Sequence, residues 1–132
     1  MKKTHFLTLT AVSLIAFFLT QCKKDDTIYN VYFYTSKYPT EVRLLLFIDD
    51  KYKGEIPYMS QKPTFDNDSL KQCAFLLTLS SGKYNMTAKD ASGNVKSEQI
   101  VKIKNNSTSV RSKTGGQELA VKDNCVIVGL FY

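Results

Sequence analysis

The chain has 132 residues, no tryptophan and a single histidine, His5, close to its N-terminus. Everything after His5 therefore lacks an imidazole. This excludes catalysis by a serine–histidine–aspartate or cysteine–histidine arrangement in that part of the chain. It also excludes a catalytic zinc held by histidines. Cysteine is scarce too, with only Cys22, Cys73 and Cys125.

The sequence also lacks an apolar run long enough to span a bilayer. Its longest one extends from Phe6 to Leu19 and follows the basic start Met1-Lys2-Lys3. A spanning helix needs about 20 apolar residues. A basic start and a shorter apolar run are typical of a secretory signal peptide, predicted here over residues 1–21. A short membrane anchor or a buried helix is the alternative.

The stretch Leu19-Thr20-Gln21-Cys22 resembles the lipobox of bacterial lipoproteins, with Gln21 at a position usually held by Gly, Ala or Ser. The resemblance implies cleavage before Cys22 and acylation of its thiol with diacylglycerol. The partner would be a lipid bilayer. One acyl chain binds a membrane only reversibly, whereas two or three hold a protein durably.

The charged segment Lys23-Lys24-Asp25-Asp26 looks like the surface-export signal of Bacteroidota-type lipoproteins. This implies the outer membrane and its outer face. If the segment is only a solvated linker, the periplasmic face is the alternative. Asp26-Thr27-Ile28 and Asp68-Ser69-Leu70 resemble Bacteroidota-type O-glycosylation sites, which makes Thr27 and Ser69 candidate glycan acceptors.

The mature chain from Cys22 to residue 132 suits one domain of ordinary size. Without Lys2 and Lys3 it has 16 basic and 12 acidic residues, a net charge near +4. A basic stretch holds Lys96, Lys102, Lys104, Arg111 and Lys113. We expect a solvated strand face there, with weak affinity for anionic glycans as an alternative. An exported location argues against nucleic acid as a partner.

Two cysteines remain besides Cys22. In an exported chain a single pair of cysteines favours a disulfide, so Cys73 and Cys125 are predicted to be bridged. In the chain-entropy model, a bridge that closes the loop between Cys73 and Cys125 would contribute about 4 kcal/mol to the stability of the fold. The alternative is two buried free thiols, since cysteine packs well as a small apolar residue.

Apolar and polar residues alternate with the period of two expected for strands. Lys83 to Lys89 is the clearest case, with Tyr84, Met86 and Ala88 on one face. Strands are predicted over residues 29–34, 42–48, 52–56, 73–79, 83–89, 95–103 and 125–132, with loops over 58–70, 105–109 and 114–116. About seven short strands predict an all-β fold over residues 29–132, a β-sandwich of Ig-like or transthyretin-like type after a tether at 22–28.

Two segments support that class by resemblance. Phe47 to Pro57 looks like the "IDG-x-x-x-G-x-x-P" hairpin of PEGA-type and carboxypeptidase-regulatory-like domains, with Asp50 where glycine is usual. Leu79 to Ala88 is similar to their "pGkY-x-v-x-A" strand. These domains are generally non-catalytic modules on exported proteins, so the resemblance implies a fold rather than an activity.

Several residue patterns could support chemistry, and we expect none of them to do so. Ser80-Ser81-Gly82-Lys83 matches the S-x-x-K of serine acyltransferases, but that motif needs a helical turn and a hairpin is predicted here. Asp66-Asn67-Asp68 lacks the glycine and the closing glutamate of a calcium loop. We therefore predict no cofactor, no metal and no enzymatic activity.

Four tyrosines near the tether, Tyr29, Tyr32, Tyr34 and Tyr38, are candidate binding residues. Exposed tyrosines can stack on sugars or anchor a protein partner. The alternative is ordinary strand chemistry, since tyrosine is favoured in strands. Together these features predict a non-catalytic envelope lipoprotein that binds a protein or glycan ligand or serves structurally. The alternative is a small inhibitor or immunity lipoprotein acting through a protruding loop at Tyr58–Leu70.

Overall fold

The computed structural model describes residues 27–36, 42–104 and 107–131. These residues form nine strands and one short helix. In chain order the elements are β1 (Ile28–Tyr34), β2 (Leu44–Ile48), β3 (Lys51–Ile56), α1 (Asp68–Cys73), β4 (Phe75–Ser80), β5 (Gly82–Lys89), β6 (Val95–Lys104), β7 (Ser107–Thr114), β8 (Gly116–Lys122) and β9 (Cys125–Phe131). The predicted signal peptide, Cys22 and Tyr38 lie outside the described residues.

The strands form two sheets that pack as a sandwich, which confirms the predicted all-β class. One sheet has four strands in the order β4-β1-β9-β8, and the other has five in the order β3-β2-β5-β6-β7. Neighbouring strands are antiparallel except β1 and β9, which are parallel. The described residues hold nine strands rather than about seven, and the Ig-like or transthyretin-like subclass stays a prediction.

The core between the sheets follows from the period-two alternation. Tyr29, Val31 and Phe33 alternate along β1 and are fully buried. They meet the inward residues of the other sheet, which include Met86 and Ala88. Burying such side chains contributes about 1.5–3 kcal/mol each, so the alternation both defines the strands and stabilises the sandwich.

Residues 57–74 form a second, smaller core on the outer face of the four-stranded sheet. Met59 packs there against Tyr34 and Ile127, with Phe65 and Leu70 alongside. The loop predicted over residues 58–70 is confirmed as far as Asn67, and α1 begins at Asp68. The loop packs against the sheet and does not protrude. The segment has few apolar residues, but Met59, Phe65 and Leu70 contact one apolar patch of the sheet. These contacts are enough to hold the segment against it.

The segment Ser80-Ser81-Gly82 joins the two sheets and is not the predicted hairpin. β4 pairs with β1, whereas β5 pairs with β2 and β6. At this corner the Ser81 amide donates to the Thr27 carbonyl at 3.0 Å. The corner thus lies beside the point where the chain enters the sandwich.

A second corner, between β7 and β8, depends on a glycine. Gly115 has φ +78°, and a Cβ there would lie 2.5 Å from the Phe131 carbonyl oxygen and 2.8 Å from that of Lys96. Both obstacles are backbone atoms, so they cannot move aside as a side chain would. The predicted loop at 114–116 is therefore this tight crossing between the sheets.

β7 contains residues that were predicted to be a loop. Ser107, Thr108 and Ser109 pair with Lys104, Ile103 and Lys102 of β6. β7 is an edge strand, and most of its side chains are exposed. Edge strands tolerate polar and charged residues and are often protected by them, so the apolar alternation that identifies other strands is weak here.

Candidate functional site

The outer face of the five-stranded sheet carries a group of basic side chains close to the β4–β5 corner. Lys83 of β5 lies directly opposite Lys102 of β6, and Lys102 lies opposite Ser109 of β7. Lys104 is two residues further along β6, and Arg111 is diagonal to Lys102 on β7. We call Lys83, Lys102, Lys104 and Arg111 the cationic cluster; all four are exposed.

A shallow depression of about 310 Å³ lies within this cluster. It is lined by Lys83, Ile100, Lys102, Ser109, Val110 and Arg111. Ammonium and guanidinium donors arranged around a partly apolar floor, with a hydroxyl beside them, suit a phosphate-, sulfate- or carboxylate-bearing ligand. The geometry offers a place for negative charge.

The cluster has no counter-charge in the described part of the chain. None of the ion pairs among the described residues involves its four members. Like charges directly opposite each other on a sheet are destabilising. Lys83 and Lys102 lie in such a pair on interior strands, where edge protection does not explain a lysine. An anionic partner would remove the repulsion.

Basic residues at the other end of the same face are neutralised. Lys96 pairs with Asp90 at 3.7 Å, and Lys113 pairs with Glu98 at 3.0 Å. The ammonium of Lys89 lies 4.5 Å from the centre of the Phe47 ring. The face therefore divides into a compensated half and an uncompensated half.

The predicted basic stretch is thus split by the structure. Lys102, Lys104 and Arg111 join the cluster, whereas Lys96 and Lys113 are paired with carboxylates. Lys83 was not among the predicted residues because it comes from an earlier strand. The signal that could have found it is the polar side of the 83–89 alternation, which shares a face with the outward residues of β6.

The predicted tyrosine surface is wrong for two of its members. Tyr29 is fully buried in the main core, and Tyr34 is buried in the second core. Tyr32 is half-buried beside the helix, and Tyr38 lies outside the described residues. Rings with this much apolar surface are drawn inward when a strand face is available, so ordinary strand packing explains Tyr29 and Tyr34.

Tyr34 takes part in a small polar network that holds residues 57–74 in place. Its hydroxyl donates to Glu118 of β8 at 2.7 Å, and the Lys62 ammonium donates to the same carboxylate. Burial, and then the Glu118 carboxylate, raise the pKa of Tyr34 above its ordinary value. Lys62, and to a smaller degree Tyr34, hold the pKa of Glu118 below its ordinary value. Because its pKa is raised, the Tyr34 hydroxyl keeps its proton and stays a donor to Glu118, so we assign this network a structural role.

The predicted disulfide is not formed in the structure, where Cys73 and Cys125 are free thiols. Cys125 pairs with Asn30 of β1, whereas Phe75, just after Cys73, pairs with Phe33 on the other side of β1. Cys73 itself ends α1, where its thiol donates to the Ser69 carbonyl at 3.4 Å. Burial raises the pKa of the Cys125 thiol, and Lys71 partly opposes this.

A cavity of about 380 Å³ beside α1 is lined by Tyr32, Asp68, Lys71, Gln72, Ala74 and Leu76. Its charges cancel, since Lys71 pairs with Asp68 at 2.8 Å. The neighbouring Asn67 accepts the Leu70 amide at 3.1 Å and caps the helix. The Asp66-Asn67-Asp68 pattern is thus explained by capping and ion pairs. In the three described ranges no group of three potential metal ligands occurs.

The two candidate glycan acceptors differ in exposure. Ser69 is exposed in the first turn of α1, while Thr27 is half-buried where its carbonyl accepts the Ser81 amide. Both remain predictions.

Comparisons of the chain with known protein families, curated proteins and solved structures gave no match. Among the described residues, no helix combines the length and the apolar character needed to cross a membrane.

Proposed function

We propose that the protein is a non-catalytic lipoprotein of the cell envelope, acylated at Cys22, whose β-sandwich binds an anionic partner through the cationic cluster. The Leu19–Cys22 pattern and the charged segment after it support the anchor and its location at the outer membrane. The chain enters the sandwich at Thr27, so a short tether would connect the two.

One observation carries the binding role: Lys83 and Lys102 face each other without a carboxylate among the described residues to compensate them. Elsewhere on this sheet the chain places Asp90 and Glu98 next to basic residues. A sheet that tolerates an uncompensated pair at one place, at a small cost in stability, presents a site where a ligand can supply the missing charge.

Two further features support a binding role rather than catalysis. The sequence after His5 offers no histidine as an acid or base. The Ser80–Lys83 pattern lies on a corner between two sheets, where Ser80 ends β4 and Lys83 is on β5. An S-x-x-K centre needs these residues one helical turn apart, and this backbone is extended.

The alternative of an inhibitor acting through a protruding loop at Tyr58–Leu70 lacks support from the fold. That segment is folded down on the four-stranded sheet through Met59, Phe65 and Leu70. Lys62 and Asp66 fasten it further through Glu118 and Lys122. No observation on the described residues favours this alternative.

The anchor is tested by the intact mass of the membrane-extracted protein beside a Cys22→Ala variant. We expect a chain starting at Cys22 with the mass of diacylglycerol and acyl chains added, and loss of processing in the variant. Hexose-sized additions would support the glycans at Thr27 and Ser69. An unmodified, unprocessed mass would contradict the lipoprotein assignment.

The binding role is tested by retention on a sulfated-glycan resin. A Lys83→Gln/Lys102→Gln variant should elute at clearly lower salt than the parent protein. A Lys51→Gln/Lys53→Gln variant loses the same two charges from exposed positions on edge strand β3. It should elute close to the parent. Equal shifts in both variants would show that net charge alone governs retention and would refute a site.

A further inference from the structure

The cationic cluster lies at the end of the sandwich where the chain enters from the N-terminal side. The carbonyl of Thr27 accepts the Ser81 amide at 3.0 Å, and Lys83 is two residues further along the chain. Lys104, at the end of β6, lies beyond Lys102 in the same direction, because Ile103 next to it pairs with Gly82. The entry point and the cluster therefore share one end of the domain.

The segment between Thr27 and Cys22 is short. Only Lys23, Lys24, Asp25 and Asp26 lie between the two residues. Even a fully extended chain separates their Cα atoms by no more than about 18 Å. If Cys22 is embedded in a bilayer, the cluster cannot move far from its surface, and the effective concentration of headgroups around it is high.

At this end of the domain, acidic residues lie on the turns at the tip, whereas the outer face of the five-stranded sheet carries the cationic cluster. Asp49, Asp50 and Asp123 lie on turns at the tip, and Asp49 is engaged by the Asn85 amide at 2.8 Å. On the outer face, Glu98 is the nearest carboxylate along β6, and it is paired with Lys113. Attraction to a negatively charged membrane surface acts over about 8–10 Å. It would therefore be strongest for the outer face of the five-stranded sheet, which carries the cluster.

From this juxtaposition we propose that the cationic cluster docks on anionic headgroups of the membrane that carries the anchor. The proposal rests on the proposed acylation of Cys22. The acyl chains hold the domain at the bilayer, and the cluster sets its orientation. The outer face of the five-stranded sheet is turned toward the lipid. The covered face of the other sheet, with α1, is turned away.

The test uses the membrane-extracted protein in vesicles of phosphatidylcholine alone or with roughly a third of phosphatidylglycerol. Exposed lysines are acetylated briefly, and the extent at each lysine is read by mass spectrometry. We expect labelling of Lys83, Lys102 and Lys104 to fall about fivefold in the anionic vesicles. Labelling of Lys62, which is exposed on the opposite face, should not change. The protection should disappear at roughly 0.5 M salt, where screening is strong.

Two variants sharpen the result. In Lys83→Gln/Arg111→Gln the protection of Lys104 should be lost, whereas in the charge-matched Lys51→Gln/Lys53→Gln it should persist. Equal labelling of the cluster in both kinds of vesicle would overturn the docking. So would equal loss of protection in both variants, because that would show an unspecific charge effect.

Co-sedimentation separates this proposal from the one it rests on. Acylated protein should sediment with neutral vesicles as well as with anionic ones. Protein that stays in solution with neutral vesicles would refute the anchor, while protection of Lys83, Lys102 and Lys104 in anionic vesicles would still support the docking surface. Sedimentation with both kinds of vesicle but without protection would refute the docking alone.

Discussion

The outer faces of the two sheets are built from similar strands, but the chain covers part of one and leaves the other open. On the four-stranded sheet, residues 57–74 cover part of the outer face and build a second core around Tyr34 and Ile127, while Ile28 and Leu76 stay exposed. On the five-stranded sheet, a half-buried Ile100 and the cationic cluster share an open, shallow depression. One face is partly covered by the chain itself, and the other is left accessible.

Charge follows the same division. Near the covered face, Lys62, Lys71 and Lys122 each pair with a carboxylate. On the open face, the cluster has no such partner among the described residues. Basic residues near the covered face are therefore compensated by carboxylates of the same chain. Within the described ranges the four members of the cluster are not, and neither are the exposed Lys51 and Lys53 on the edge strand β3.

The largest expected effect comes from placing the same polar side chain on both faces. Ile127 is 2% exposed beneath the covering segment. Ile127→Asn should lower the free energy of unfolding by about 4 kcal/mol through lost burial and an unsatisfied amide. Ile100→Asn, on the open face, should cost less than about 1 kcal/mol. Urea unfolding measures both, and equal losses would contradict the division into a covered and an open face.

A smaller effect is expected from Tyr34→Phe, which keeps the ring and removes the hydroxyl that donates to Glu118. Losing a hydrogen bond to a charged group should cost about 1.5 kcal/mol. Segment 57–74 should also become more accessible to proteases. Unchanged unfolding and unchanged proteolysis would show that apolar contacts alone close this face.

The same network gives a pH dependence with a defined sign. The folded-state pKa of Glu118 is lowered from 4.5, first by Lys62 and also by Tyr34. The stabilisation is therefore present above pH 4.5 and is lost as the pH falls through the lower folded value. The difference between the parent and Tyr34→Phe should shrink in that acidic range. A difference that grows on acidification would show that the carboxylate is not the partner that matters.

Replacing a turn aspartate by glycine should have a similar effect on stability in the hairpins of both sheets. Asp50 in the β2–β3 turn has φ +64°, and Asp123 in the β8–β9 turn has φ +52°. Glycine relieves the cost of this left-handed backbone, so Asp50→Gly and Asp123→Gly should each stabilise by about 1 kcal/mol. Asp49→Gly is the control, since it also loses the bond to the Asn85 amide. A gain as large in Asp49→Gly would contradict this account.

The smallest expected effect concerns the open face directly. Lys83→Gln removes one of two facing ammonium groups and should raise stability by about 0.3 kcal/mol at low salt. The gain should vanish at roughly 0.5 M salt. Lys113→Gln, which breaks the pair with Glu98, should give no gain. Thermal unfolding at two salt concentrations separates these outcomes, and a gain in both variants would show that the repulsion is not specific to the facing pair.

Much of the sandwich could be predicted from the sequence. β1, β5 and β9 follow from local alternation and β-branched or aromatic residues, which report burial directly. β7 and β8 could not be found this way. The exposed β7 has little apolar signal, and all but the last residue of β8 are only half-buried. The helix α1 is a single short element in a polar segment, below the length at which periodicity is informative.

The candidate site was harder to predict than the strands. Three of its four basic residues belong to the predicted basic stretch, but Lys83 comes from another strand. Two of the four tyrosines expected at a binding surface, Tyr29 and Tyr34, are buried instead. Composition identifies side chains able to bind, whereas their exposure depends on which face of a strand meets another layer.

The sequence by itself determined the strands with clear alternation and the inward residues of the main core. It also contains the lipobox-like stretch before Cys22, because each of these signals lies within a few consecutive residues. Only the tertiary structure decided that Ser81 turns the chain from one sheet to the other and that residues 57–74 cover one face. It also decided that Lys83 meets Lys102. These outcomes depend on pairing between distant segments, and a local pattern carries no information about register between strands.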